Sequence, residues 1–177
     1  MQPQLVMFTV VGVSFTEPAV AFDIVVPRDD STLFTGYLGV LPAVTGMSDF
    51  SGENDHAGVS RIVHLSDGGS FREEIVRYER PGDTDAVGHF DYDVTAFTGI
   101  LSRIVSEGTA RWTYAPGSTG RTHITWTYGY RPLAGRTFIL THLIGPLWMR
   151  YMRRSMGTIL RAIVDERPTE GTEAAHG

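Results

Sequence analysis

A series of short alternating segments followed by one long helical segment is the feature that most constrains how this chain folds. Between residues 44 and 131, apolar and polar side chains alternate in stretches separated by turn residues, which predicts an antiparallel meander. The expected strands cover residues 44–50, 58–65, 70–79, 87–97, 108–115 and 121–131. Because such a sheet twists and curls, its apolar face needs a partner that fits inside the curve. The helical segment over residues 137–165 has the apolar stripe that this role requires.

The residues before the meander predict a strand and two short helical segments. Residues 4–15 alternate as a first strand does, and a proline marks the start of a helix over Ala19–Val25. A second helical turn is expected at Ser31–Phe34, with Asp29 or Asp30 as its cap.

Two places leave the secondary structure open. Residues 99–106 fit one helical turn as well as a strand. In the last helix, Pro146 predicts a kink or a break near Gly145. Together the elements predict an α+β fold in which a curved antiparallel sheet of about seven strands wraps around the C-terminal helix.

The composition predicts one globular domain over residues 1–166 and a disordered polar tail over 167–177. The chain has 177 residues, of which 42% are hydrophobic, so it can bury a large core. Its net charge of −5 repels phosphate backbones, and we expect no nucleic-acid partner. The sequence contains neither cysteine nor lysine, which excludes disulfides, thiolate nucleophiles, Schiff-base catalysis and a lysine-dependent phosphate loop.

The distribution of apolar residues predicts a cytoplasmic protein without stable membrane insertion. The first 15 residues lack the basic start and the cleavage site of a signal peptide. No segment reaches the roughly 18 uninterrupted apolar residues that a membrane span requires. For the assembly state we expect a monomer or a weak homodimer.

Three stretches of the meander carry a resemblance to a known superfamily. They are AGVSRIVHLSDG at residues 57–68, EIVRYE at 74–79 and RTHITWTYGYRP at 121–132. They resemble the START/Bet v 1-like (SRPBCC) superfamily of helix-grip proteins, which includes plant allergens, polyketide aromatase/cyclases and lipid-transfer domains. The resemblance covers residues 5–165 and implies a cavity between the sheet and the long helix. More narrowly, Phe34–Gly36 and Leu41–Val44 look like uncharacterised actinobacterial polyketide cyclase/dehydrase-like proteins.

Alternation along the strands assigns a set of aromatic side chains to the face that meets the helix. The strand residues expected there are Tyr78, Phe90, Tyr92, Trp112, Tyr114, Trp126, Tyr128 and Tyr130. From the helix, Trp148 and Met152 are expected on the same interior. A packed core explains this set, and so does a partly wet cavity for a hydrophobic or aromatic ligand, in which the tyrosine hydroxyls find partners.

The sequence Asp67-Gly68 predicts a two-residue hairpin turn that fixes the register of the two flanking strands. In that register Arg61 lies opposite Glu74 on the cavity side, where opposite charges attract. A three-residue loop with a glycine bulge shifts the register by one, and the Arg61–Glu74 pair then survives only through a further bulge. Two interpretations stay open: a structural ion pair, or an arginine that glutamate orients toward a ligand.

Few residues of the chain offer acid–base or metal chemistry. By strand alternation His64, His89 and His123 point outward, which leaves His142 as the histidine positioned to reach the cavity. We find no Ser-His-Asp spacing and no His pair typical of metal sites, and we expect neither a metal nor an organic cofactor. Any catalysis would depend on Arg61, Glu74 and Tyr92, of which Glu74 or a tyrosine would carry the proton.

Three functions remain open. The first is binding or carriage of a small apolar ligand, aromatic or polyketide-like. The second is a cyclase or dehydratase acting on a bound poly-keto chain, which the superfamily resemblance adds to the residues named above. The third is a regulatory or partner-binding protein whose cavity is vestigial. A filled interior would leave only the third function possible.

Overall fold

The computed structural model describes residues 3–82 and 87–166, which form one antiparallel sheet and a long C-terminal helix. The predicted disordered tail, 167–177, lies outside the described residues. The strands are β1 (Val6–Ser14), β2 (Val44–Ser48), β3 (Ser60–Leu65), β4 (Ser70–Glu79), β5 (Gly88–Thr95), β6 (Val105–Pro116) and β7 (Thr122–Pro132). The expected fold class is confirmed.

The sheet is a meander that the first strand extends at one edge. Its strand order is β1-β7-β6-β5-β4-β3-β2, and every neighbouring pair is antiparallel. From β2 to β7, strands that follow one another in the sequence lie side by side in the sheet, the usual arrangement of a meander. The most extensive contacts between strands join β6 to β7 and β7 to β1. The buried side chains of Trp126, Tyr128 and Tyr130 all lie on β7, between these two neighbours.

Two short helical segments connect β1 to β2. Helix α1 covers Pro18–Val25, one residue longer than expected, and a 3-10 turn follows at Asp30–Thr32. Asp29 is the cap of this turn, because its carboxylate accepts a hydrogen bond from the Ser31 amide at 2.9 Å. Since Asp29 takes the capping role, Asp30 is available for another contact.

The segment over 99–106 and the last helix resolve both open points of the sequence. A 3-10 turn at Leu101–Arg103 precedes β6, so the ambiguous segment contains a turn and the start of a strand. A π-helical turn at Ile139–Ile144 leads directly into α2, Gly145–Glu166. The irregularity expected near Pro146 is this π-helical turn. Gly145 lets the helix approach β1, because a Cβ there would lie 2.9 Å from Phe8 Cε1.

The hairpin between β3 and β4 differs from the two-residue turn that the sequence favoured. The Leu65 amide donates to the Gly69 carbonyl at 2.9 Å, and the Gly68 amide donates to the Leu65 carbonyl at 3.1 Å. Gly68 has a left-handed backbone, with a φ of 80°. This is a three-residue loop closed by a glycine bulge. The register therefore shifts by one, and Arg61 lies opposite Glu73.

A second irregularity restores the expected face farther along β4. The register with β5 shifts between Ile75 and Arg77, and Val76 is exposed at the bulge. Because of this extra residue, Ile75 and Tyr78 both face inward although they are three positions apart. Tyr78 thus faces inward as predicted, but it does so because of this bulge and not because of regular alternation along β4.

Candidate binding cavity

A cavity of about 90 Å³ lies between the sheet, α2 and three connecting segments. Roughly 10–15 Å³ of such space holds one water molecule, so the cavity has room for several waters or a small organic molecule. Its apolar wall comes from Phe34, Leu41, Pro42, Val44, Val63, Leu65, Phe71, Leu101, Ile104, Val105, Leu140 and Ile144. The interior is not filled, and this keeps both the binding and the catalytic interpretations open.

The back of the cavity is aromatic, as alternation along β7 predicts. Trp126, Tyr128 and Tyr130 line it from the sheet, and Trp148 and Tyr151 line it from α2. The Trp148 ring meets Tyr128 and Tyr130 edge-on, with centroids 5.3 and 5.4 Å apart, and it stacks on Tyr151 at 5.0 Å. These contacts fix the rings in place and build a preformed aromatic wall.

Two polar groups of this wall have no hydrogen-bond partner among the described residues. They are the indole Nε1 atoms of Trp126 and Trp148, both buried. A buried donor without an acceptor is unfavourable and is uncommon in folded proteins. The wall therefore contains two buried indole donors that no described residue satisfies.

A charged corner interrupts the apolar lining at one end. Arg61 Nε lies 2.9 Å from Glu73 Oε1, and Arg61 Nη2 lies 2.7 Å from the same oxygen. The same Nη2 lies 2.5 Å from Asp30 Oδ2. The side chains of Arg61, Glu73 and Asp30 are only 6%, 4% and 19% exposed. Two carboxylates thus share one guanidinium out of water.

Burial dominates the protonation of both carboxylates. It raises the pKa of Glu73 to about 7, although Arg61 acts in the opposite direction. Burial likewise raises the pKa of Asp30 against the pull of Arg61. Burial also raises the pKa of Tyr92 well above its usual value, so that hydroxyl stays protonated at neutral pH. The corner therefore contains a carboxyl group that gains and loses a proton near neutrality.

Glu74 does not take part in this corner, and its predicted role is wrong. In the observed register it lies opposite Ser60, on the outer face of the sheet. Its side chain is 49% exposed and contacts Arg72 Nη2 at 3.3 Å. The physical reason is the glycine bulge at Gly68, which moves every residue of β4 before Val76 by one position.

A second, smaller cavity of about 20 Å³ adjoins the first. Arg61, Phe90, Trp112 and Tyr114, all expected on the interior, line this smaller space rather than the main cavity. Asp30, Phe34 and Tyr92 line both, so they form the partition between the two. The Tyr114 hydroxyl has no hydrogen-bond partner among the described residues.

Three residues that the sequence placed at the cavity lie elsewhere. Tyr78 is half-buried and packs edge-on against Phe22 at 5.3 Å, and it lines neither cavity. Met152 is buried on the inner side of α2 but also lines neither cavity. His142 is exposed and stacks on Phe138, so it does not reach the cavity.

Sequence reasoning missed three polar residues that line the main cavity. Glu73 became visible only through the alternative loop at Gly68, which moves it opposite Arg61. Asp30 was named solely as a possible cap, and the second aspartate of the Asp29-Asp30 pair was the available signal. Tyr151 was not among the helix residues expected on the interior, whereas it is buried and lines the cavity.

Two further features are absent from the described residues. Within residues 3–82 and 87–166, no group of three or more histidine, aspartate or glutamate side chains is arranged to hold a metal ion. Over the same ranges, no helix combines the length and apolarity needed to cross a membrane.

Comparisons with known proteins place the fold. Neither a protein-family model nor a curated protein matches this sequence. Among solved structures, the allergen Ara h 8.0201 is similar with a TM-score of 0.64 at 13% identity, covering 92% of this chain and 99% of that one. Norcoclaurine synthase from Thalictrum flavum, solved in complex with dopamine and hydroxybenzaldehyde, is similar with a TM-score of 0.65 at 8% identity, covering 95% of this chain and 91% of that one. The protein XoxI from Bacillus cereus is similar with a TM-score of 0.57 at 10% identity, covering 92% of this chain and 99% of that one.

These likenesses span nearly the whole chain at low identity, so they show the fold. The sheet gripping a C-terminal helix is the helix-grip fold of Bet v 1-like proteins, and the resemblance read from the sequence is confirmed at this level. The likeness to actinobacterial cyclase/dehydrase-like proteins stays a prediction.

Proposed function

We propose that this helix-grip protein binds a small, largely apolar ligand with an aromatic or polyketide-like body in the cavity between its sheet and its C-terminal helix. The observation that carries the proposal is an aromatic cavity that stays open and whose wall holds two buried indole donors without a partner among the described residues. A ligand that fills the space removes apolar surface from water, and an acceptor on it that reaches an indole satisfies a donor. The solved complex of norcoclaurine synthase with two small aromatic molecules supports this use of the fold.

Two measurements test the binding proposal. Native mass spectrometry of mildly purified protein looks for a co-purified small molecule. Titration with the neutral fluorescent probe N-phenyl-1-naphthylamine is expected to give saturable binding, accompanied by a change in tryptophan emission, because Trp126 and Trp148 line the cavity.

A matched pair of variants shows where the probe binds. Val44 lines the cavity, whereas the neighbouring Thr45, at the bulge of β2, is exposed and does not line it. We expect Val44→Phe to weaken probe binding at least about ten-fold by filling the space, and Thr45→Phe to leave it unchanged. Equal binding by both variants would place the probe elsewhere and contradict the proposal.

A second candidate function is a cyclase or dehydratase acting on a bound poly-keto chain. The observation that favours it is Glu73, a cavity-lining carboxyl group whose pKa is raised to about 7 by burial. In a dehydration, its carboxylate would take the proton next to a ketone, and the β-hydroxyl would leave as water after receiving a proton from Tyr92 or from the protonated acid. Arg61 would act as a positioning residue, since its donors already bind the two carboxylates.

Incubation with a β-hydroxyketone tests this second candidate. We expect a product lighter by one water, which Glu73→Gln abolishes and Glu74→Gln leaves intact. Binding of the substrate without turnover would reject the catalytic candidate and leave the binding proposal in place. If the cavity proves unable to bind either probe or substrate, the regulatory alternative becomes the better proposal. A cytoplasmic location stays a prediction.

A further inference from the structure

The charged corner of the cavity carries more negative than positive charge. Glu73 and Asp30 both line the main cavity, and both contact the same Nη2 atom of Arg61. Two carboxylates against one guanidinium leave one negative charge when both are ionised. Arg61 is the one cationic residue among the described residues that line the two cavities. An uncompensated buried charge is strongly unfavourable, so the corner requires one more positive charge.

A proton or a ligand cation can supply that charge. A proton neutralises the corner but gains nothing from the rest of the cavity. An organic cation also lies against ring faces, and tyrosine and tryptophan faces attract cations. The tyrosine and tryptophan rings that line the cavity are those of Tyr92, Trp126, Tyr128, Tyr130, Trp148 and Tyr151. The combination of surplus carboxylate and aromatic wall therefore favours a cation with an apolar body.

We propose that the ligand is an arylalkylamine whose ammonium group is bound by Glu73 and Asp30 while its ring lies among the aromatic side chains. This inference rests on the proposed binding function and specifies the chemistry of its ligand. The two carboxylates come from separate elements, β4 and the 3-10 turn, and Arg61 holds them together before the ligand arrives. Such preorganisation lowers the cost of gathering two like charges around an ammonium group.

The groups around the carboxylates determine how binding depends on pH. Those facing Glu73 or Asp30 from the surrounding elements are Asp29, Arg61, Tyr92, Tyr114, Tyr128 and Tyr151. Burial raises the pKa of each of these four tyrosines, which therefore stay neutral. Between pH 5 and pH 8 the change in protonation thus belongs to the carboxylates. Because a proton competes with the ammonium group, amine affinity rises with pH in this range.

Calorimetric titration with two molecules of matched shape tests the proposal. The probes are 2-phenylethylamine and 2-phenylethanol, which differ in the group that reaches the charged corner. At pH 8 we expect the amine to bind at least about ten-fold more tightly than the alcohol. At pH 5.5 we expect most of this advantage to disappear, while the affinity of the alcohol stays constant.

Two isosteric variants separate charge recognition from structure. Glu73→Gln removes the surplus charge and leaves Arg61 paired with Asp30, so the variant is expected to fold. It is expected to lose the preference for the amine and to keep its affinity for the alcohol. Glu74→Gln changes the same residue type on the exposed face of the same strand, and both affinities are expected to stay as they are.

Each outcome has a distinct meaning. Equal affinities of the amine and the alcohol at pH 8 would overturn the arylalkylamine proposal and leave the binding function standing. Binding of N-phenyl-1-naphthylamine without displacement by the amine would overturn it as well. If neither these probes nor the naphthylamine binds, the binding function itself is rejected, and the inference with it. A preference for the amine that survives Glu73→Gln would also contradict the inference.

Discussion

Different interactions stabilise the two ends of the cavity. At the aromatic end, Trp126 stacks on Trp112 with a centroid distance of 4.6 Å, and Trp148 closes on the same cluster from α2. At the charged end, the corner formed by Arg61, Glu73 and Asp30 carries three ionisable groups with little exposure. The first end contributes stability that does not depend on protonation, whereas the second is sensitive to pH. A molecule that binds across the cavity therefore contacts an apolar wall that does not depend on pH and a polar wall whose protonation changes with pH.

Removing the central ring of the aromatic end is expected to have the largest effect. Trp126 is 1% exposed, and truncating a buried tryptophan to alanine costs about 4 kcal/mol. We expect Trp126→Ala to lower the free energy of unfolding by about that amount, equally at pH 5 and pH 8, in urea titrations. A strong pH dependence of this loss would contradict the separation of the two ends.

Removing the cation of the charged end is expected to have a slightly smaller effect, and one that depends on pH. Without Arg61, two buried carboxylates face each other unpaired, which costs about 3 kcal/mol at pH 8. At pH 5 the carboxyl groups are protonated and the cost shrinks. Urea unfolding of Arg61→Met at both values checks this. An equal loss at both pH values would mean that Arg61 stabilises mainly by packing.

These two residues also show how much of the site the sequence predicts. Trp126 was assigned correctly because the aromatic residues of β7 and Ile124 lie at alternate positions and so share one face, and the observed strand keeps that alternation. Arg61 was also placed inward, but its partner was not, because β4 carries Glu73 and Glu74 side by side. Hydrophobic alternation does not distinguish two adjacent glutamates when the hairpin loop allows two registers.

The connections between strands were harder to predict than the strands, again because hydrophobic alternation does not determine their positions. The cavity walls from residues 34–42 and 101–104, and Asp30, come from loops and short turns in which no periodic pattern predicts which way a side chain points. Their positions depend on tertiary contacts such as the pairing of Asp30 with Arg61, which a local pattern does not contain. The fold could be predicted from the strand patterns and the resemblance, whereas the composition of the charged end became clear only from the three-dimensional structure.

Neutralising the surplus charge is expected to change the pH profile of stability by an intermediate amount. Burial raises the pKa of Glu73 from 4.5 to about 7, so the folded state holds this proton more tightly than the unfolded state does. The stability it contributes is therefore present below about pH 4.5 and is lost as the pH rises through 7. We expect wild-type stability to fall by on the order of 2 kcal/mol over this range.

Glu73→Gln is the variant that isolates this proton. It is expected to flatten the stability profile, so that it matches the wild type at pH 5 and equals or exceeds it at pH 8. Residual slope from Asp30 is expected, because burial raises the pKa of that carboxyl group as well. Thermal or urea unfolding across the range checks the profile. A slope unchanged by Glu73→Gln would assign the pH dependence to other groups.

The loop that sets the register of the charged end gives a smaller effect. Gly68 has a φ of +80°, and no atom lies within 4 Å of the place where a Cβ would stand. Gly68→Ala therefore introduces backbone strain without a clash, and a loss of about 1 kcal/mol is expected in urea unfolding. Gly46→Ala on β2, where space is equally open and φ is not positive, is the matched control. A similar loss at both glycines would indicate that general strand effects, not the left-handed backbone, are responsible.

The smallest effect is expected at Glu74, the residue that alternation placed in the cavity. Its contact with Arg72 is 3.3 Å long and both side chains are about half exposed, a situation in which ion pairs contribute about 0–1 kcal/mol. Glu74→Gln is therefore expected to change the free energy of unfolding by less than about 0.5 kcal/mol, with the pH profile of the wild type preserved. Compared with Glu73→Gln on the same strand, it measures what burial beside Arg61 adds to an otherwise identical side chain. A flattened profile in Glu74→Gln would mean that the two-residue hairpin register is the one present in solution, and the charged end would then have to be rebuilt around Glu74.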